Sequence, residues 1–137
     1  MKTTLEIETL IWQHLAGSAL KAALTGGIYK MQRPSNSKVE DVVIVSLPVN
    51  NLALQGAVVN VNIHVPDLPV RANEVTGGQP HHTRLQQLAA QAIGILQDTW
   101  DEAGEWTWDV QQQNVFKDDE GGGHFVNIRL EFYSINS

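Results

Sequence analysis

Between residues 126 and 133 apolar and polar side chains alternate without a break. Val126, Ile128, Leu130 and Phe132 fall on one side, and Asn127, Arg129, Glu131 and Tyr133 on the other. A period of two marks a strand with one apolar and one polar face. Trp106, Trp108 and Val110 alternate with Thr107 and Asp109 in the same way, before the pattern turns polar at Gln111, Gln112 and Gln113. With an acidic, glycine-rich turn between them, the two segments predict a long β-hairpin over residues 106–135. Upstream, DVVIVSLP at 41–48 is a β-branched apolar run, which predicts a strand covered on both faces or nearly so. Over residues 52–65, Val59, Val61, Ile63 and Val65 alternate with Asn60, Asn62 and His64. Asn50 and Asn51 offer a tight connection, so these two strands are expected to form an antiparallel hairpin.

Two stretches follow helical spacing instead. A first helix is predicted over residues 4–24, with a capping box made by Thr3 and Glu6. Its apolar stripe would contain Leu5, Leu10, Ile11, Leu15, Ala19, Ala22 and Ala23, with Gly26 and Gly27 ending it by taking a left-handed conformation. His14 sits beside that stripe as a partly buried, locally satisfied histidine. A second helix is predicted from about His82 or Thr83 to Trp100. Thr83 and Gln86 have the capping-box spacing, and Leu85, Leu88, Ala89, Ala92, Leu96 and Trp100 form one stripe. Residues 28–31 make a short candidate strand, followed by a polar turn around Pro34. Residues 66–80 hold three prolines and the Gly77-Gly78 pair, and are expected to form an irregular loop. The order helix, three strands, loop, helix, two strands predicts one α+β domain over residues 1–137. In it two helices pack on one face of a mainly antiparallel sheet of about five strands.

Composition narrows the function classes. The chain has 137 residues, 42% hydrophobic and 18% charged, which is enough for one core without cross-links. It contains no cysteine, which removes disulfides, thiolate metal sites and a cysteine nucleophile. No apolar run approaches the roughly 20 residues that span a bilayer. Glu6 and Glu8 interrupt the first apolar segment, unlike a signal-peptide core, so a cytoplasmic protein is expected. The net charge of −6 falls entirely in residues 69–137, where ten acidic side chains meet four basic ones. A protein that grips phosphate backbones needs a basic face, so specific nucleic-acid binding is not expected.

Candidate chemistry is sparse. His64, His81, His82 and His124 are the residues that a metal site would use, but no HExxH or HxH spacing joins them. No metal or other cofactor is expected. The acidic run at 118–120 before Gly121, Gly122 and Gly123 lacks the ligand ladder of a calcium loop and reads as a hairpin tip. Neither phosphate-cradling glycine pattern is present, nor are GxSxG or SxxK. The carboxylates Asp98, Asp101, Glu102, Glu105 and Asp109 lie in an acidic connection with no sign of a sheltered acid/base pair. Trp100, Trp106 and Trp108 read as core between the second helix and the last sheet, with a ligand platform or subunit contact as the other reading.

The layout resembles a known family. An amphipathic helix leads into Gly26, Gly27, Ile28 and Tyr29. A loop with Pro34, a strand pair at 42–47 and 57–65, a second amphipathic helix at 83–100 and a closing hairpin at 125–135 follow. This is similar to the tail-completion, or tail-terminator, proteins of long-tailed bacteriophages and related head–tail joining components. The resemblance implies a non-enzymatic structural protein of a phage or prophage, made in the bacterial cytoplasm and carried in the virion. It would form a homo-oligomeric ring, commonly hexameric, on the tail tube and join it to the head connector. The polar strand faces Asn60, Asn62, His64, Asn127, Arg129, Glu131 and Tyr133 are then the expected subunit interface. The alternative is a small cytoplasmic ligand- or metal-binding module, or an interaction domain, using residues 66–82.

Overall fold

The computed structural model describes residues 1–72 and 75–135. Helix α1 (Thr4–Ala16) begins with the expected capping box: Thr3 Oγ1 accepts from Glu6 N at 3.1 Å and Glu6 Oε1 accepts from Thr3 N at 3.4 Å. It stops earlier than the sequence suggests. Gly17 closes it, and Ser18 caps a separate short helix α2 (Ala19–Ala23), its Oγ accepting from Leu20 N. The buried stripe of α1 is Ile7, Ile11 and Leu15, whereas the expected Leu5 is exposed. Gly26 does not act as a left-handed cap. Its N–H donates to Glu40 O at 2.8 Å, and a Cβ there would collide with Asp41 and Glu40. A glycine lets two backbone segments approach at that point.

Eight strands follow the helix pair. They are β1 (Ile28–Lys30), β2 (Asp41–Ser46), β3 (Leu54–Val65), β4 (Leu68–Ala72), β5 (Val75–Gln79), β6 (Thr99–Trp100), β7 (Trp106–Lys117) and β8 (His124–Ile135), with helix α3 (His82–Leu96) between β5 and β6. Six form one sheet in the order β1-β2-β3-β8-β7-β6. Every pairing in it is antiparallel except β1 with β2. The α+β class and the mainly antiparallel sheet are as expected, but among the described residues that sheet has six strands rather than five, and there are three helices rather than two. The hairpins β2–β3 and β7–β8 join at their long strands, with Val61 opposite Ile128 and Asn60 opposite Arg129.

Residues 66–80 are not an irregular loop. Strands β4 and β5 make a second, two-stranded sheet with Pro69 opposite Gly78. A proline fits there because a two-stranded ribbon leaves one side of each strand unpaired. Residues 73 and 74 of that stretch lie outside the described residues.

Helix α3 ends at Leu96, a turn before the expected Trp100. Gln97 takes an extended conformation and Asp98 a left-handed one (φ 54), which turns the chain into β6 and leaves Trp100 65% exposed. The N-terminal cap is His81, whose Nδ1 accepts from Arg84 N, and not Thr83. The C-terminal carbonyls of α3 meet side chains from other elements. His14 Nε2 lies 2.8 Å from Ile95 O, and Trp108 Nε1 donates to Leu96 O at 3.0 Å. His14 is thus satisfied, by a partner far along the chain rather than a local one.

The core lies between the helices and the alternate side chains of the sheet. Val42, Ile44, Val59, Val61, Ile63, Ile128, Leu130 and Phe132 meet Ile7, Ile11, Leu15, Leu88 and Leu96 there. Burying each such side chain fully contributes roughly 1.5–3 kcal/mol. Trp108 is buried and stacks on half-buried Trp106 at 5.0 Å, so two of the three tryptophans serve as core and the exposed Trp100 does not.

Candidate functional site

Strand register places the seven expected interface residues on one surface. Asn60 stands opposite Arg129, Asn62 opposite Asn127, and His64 opposite Phe125, while Val58 faces Glu131 and Gly56 faces Tyr133. Directly opposed residues in an antiparallel pair share a face. The polar faces of β3 and β8 are therefore a single surface, turned away from the helices.

Much of that surface is bonded to itself. Asn127 Nδ2 donates to Asn60 Oδ1 at 3.1 Å and Asn62 Oδ1 at 2.7 Å. Tyr133 donates its hydroxyl to Glu131 at 2.7 Å. That bond, then burial and the charges of Glu131 and Asp109, hold the tyrosine above its usual phenol range. Arg129 is the exception. Among the described residues its side chain makes no hydrogen bond or ion pair, and its Nε is buried without a partner. A guanidinium with its donors unspent is the group on this face best suited to an incoming carboxylate.

One corner of the face is roofed by residues 31–40, the connection that carries β1 into its parallel neighbour. Arg33 bridges two carboxylates there, Asp41 at 3.3 Å and Asp118 at 3.5 Å. Asp41 is fully buried and also accepts from Gly27 N and from the hydroxyl of Ser37. His64 Nδ1 lies 3.4 Å from Asp118, within ion-pair range but not aligned as a hydrogen bond. Burial, followed by the Arg33 charge, pushes the imidazole below its usual value, so it resists protonation. Burial alone would raise Asp118. The N–H groups of Gly121 and Glu120 outweigh it, with His64 and Arg33, and hold the carboxyl low.

The acidic hairpin tip is thus a built turn, tied to the sheet and to residues 31–40. It borders a concavity of about 470 Å³ whose floor includes Val43, Asn62 and His64. The sequence signal for this corner is weak, because Asp118 is far along the chain from Arg33 and Asp41 and the three belong to no motif.

The histidines do not gather. His64 lies on the open face, while His124, opposite Val65, belongs to the helix side and pairs with Asp67 at 2.7 Å. His81 is spent on the α3 cap. Among the described residues no group of three metal-ligating side chains converges.

On the helix side, a groove of about 680 Å³ runs between α3 and the outer half of β7, lined by Leu85, Ala89, Ile93, Val115 and Val126. Val115 reaches that side through a bulge. Val110 opposes Leu130 and Gln112 opposes Arg129, leaving Gln111 as an extra residue. One extra residue reverses which side chains face the helices.

No helix among the described residues is long and apolar enough to cross a membrane. No protein-family model matches this chain, and no curated protein sequence matches it.

Proposed function

We propose that this chain is a non-enzymatic assembly protein of the tail-completion, or tail-terminator, type from a phage or prophage. In that role it forms a ring on the end of the tail tube, hexameric as in the family it resembles, and joins the tube to the head connector. It is made in the host cytoplasm and becomes part of the virion. The observation that carries the reading is the surface of β3 and β8. It is broad, polar and uncovered by any helix, and Arg129 stands in its middle without a counter-charge.

A ring needs two different surfaces on each subunit, so that contacts repeat around an axis until they close. The β3–β8 face supplies one of them, and the acidic connection 98–105, with Asp98, Asp101, Glu102 and Glu105, supplies a second of opposite sign to Arg129. The net charge of −6 lets DNA pass a central channel without sticking.

Light scattering and negative-stain imaging of the purified chain, alone and with tail tubes, test this reading. Rings, or particles bound at tube ends, support it. A protein that forms no ring and binds no tube end at any concentration removes it.

A further inference from the structure

We propose that the outer edge of β7 pairs antiparallel with the same edge of a second copy of this chain, across a two-fold axis near Val115. This contact is separate from the β3–β8 surface on which the ring reading rests.

The sheet has two edges, and they are finished differently. The β1 edge is only three residues long, and its outward carbonyls are occupied. Trp12 Nε1 donates to Ile28 O at 2.8 Å, Gln32 N donates to Lys30 O at 2.8 Å, and Glu8 Oε2 accepts from Ser46 N at 2.9 Å where β2 extends past β1. At the other edge β6 covers β7 only at Thr107 and Trp108. From residue 109 to 117 no strand among the described residues lies on the outer side of β7. Beyond the bulge, residues 112–117 keep an unbroken register with β8.

The direction of the outward groups follows from the hairpin. Asp118 N donates inward to Gly123 O. Alternation then turns the N–H and C=O of Gln113, Val115 and Lys117 outward. Val115 N bears this out, since it is taken by its neighbour's side chain, Asn114 Oδ1 at 2.8 Å, rather than by β8.

Unpaired edges are normally guarded by charge or proline. Residues 110–116 contain neither, and Val115 and Phe116 are 44% and 46% exposed. The occupant follows from three of these facts. The opposite edge offers three residues with their outward carbonyls taken, too little for a second pairing surface, so edge pairing between copies joins like with like, which is the isologous two-fold contact. Two chains of charge −6 meet with least repulsion at an uncharged segment. Centring the axis on Val115 sets the two valines side by side and continues the apolar groove of Leu85, Ala89 and Ile93 across the contact.

Sedimentation velocity of the full chain over a concentration series tests the pairing. A monomer–dimer equilibrium is expected. Val115→Pro removes an outward donor, one that Asn114 Oδ1 releases on pairing, and no bond to β8; it should weaken the dimer about tenfold or more while leaving the far-UV circular dichroism unchanged. Because the chain has no cysteine, Val115→Cys should give a single cross-linked dimer on mild oxidation, and Asn60→Cys on the open face should not. Arg129→Glu should leave this dimer intact. A monomer at every concentration overturns the proposal, even if the edge captures a strand from some other protein. So does a dimer that survives Val115→Pro and fails with Arg129→Glu, a result that would leave the ring reading standing.

Discussion

Arg84 reaches from the first turn of α3 to Glu40 and holds it with two bonds, Nε at 2.6 Å and Nη2 at 2.9 Å, while Nη2 also donates to Ala23 O. Thr25 N donates to the same carboxylate at 3.2 Å. One buried acid therefore joins the end of α2, the start of β2 and α3. Arg84→Met leaves that carboxylate with a single donor and should cost about 2–3 kcal/mol in urea unfolding. If Arg84→Met matched the parent within error, the clamp would not be a source of stability.

The same pair makes stability depend on acid. The hydrogen bond from Arg84, outweighing the opposing effect of burial and helped by Thr25, holds Glu40 below its ordinary carboxyl value. A depressed carboxyl contributes fully above its unfolded value and loses that contribution as pH falls through the folded one. Unfolding midpoints should decline as pH drops below about 4.5, the unperturbed value, and Glu40→Gln should flatten part of that decline. An unchanged acid limb in Glu40→Gln would assign the decline to other carboxyls.

His64 has the same sign in a different window. Its folded value is depressed by burial and by Arg33, so the unfolded chain binds the extra proton first. Stability should be complete above about 6.5 and fall as pH decreases from there through the folded value. His64→Gln should remove that slope while changing stability little at neutral pH.

Arg129→Glu and Glu131→Lys test the open face. Both side chains lie outside the apolar core, and neither variant should cost more than about 1.5 kcal/mol, the loss of the Tyr133–Glu131 bond included. Both should impair ring formation on tail tubes. Normal assembly by both variants would remove β3 and β8 from the interface.

Gly123 closes the β7–β8 turn with φ 80, and a Cβ there would stand 3.0 Å from Val65 O. Gly123→Ala should cost about 1–2 kcal/mol for the left-handed backbone alone. A thermal melt equal to the parent would mean that the turn can relax away from β3.

How legible these features are depends on whether the signal is local. The alternation of β3 and β8 is plain because each strand keeps one side against the helices for its whole length, and both were placed to within a few residues. β7 is harder. The bulge at Gln111 changes which residues face inward, so Val115 falls out of step with Trp106, Trp108 and Val110. The β4–β5 ribbon was missed because its prolines and glycines carry loop signals, while its pairing exists only in the fold. In the first helix the break at Gly17 and Ser18 is visible in the sequence, but the alanine-rich stretch beyond it masks the stop. Seven of the face residues were legible as polar positions. The Arg33, Asp41 and Asp118 corner was not, since the 31–40 connection and the β7–β8 turn must both fold before those charges meet.

The position of β8 sets the order of events when the chain is made. This strand sits at the middle of the sheet, between β3 and β7, with Leu54 paired to Ile135 across more than half the polypeptide. The β2–β3 hairpin can form early, but it presents an open, half-apolar rim until β8 has cleared the ribosome. Contacts of such long sequence separation are slow to close and leave aggregation-prone surface exposed meanwhile. Synthesis rate and chaperone access over the last quarter of translation should therefore govern the yield of folded protein more than the strength of either helix.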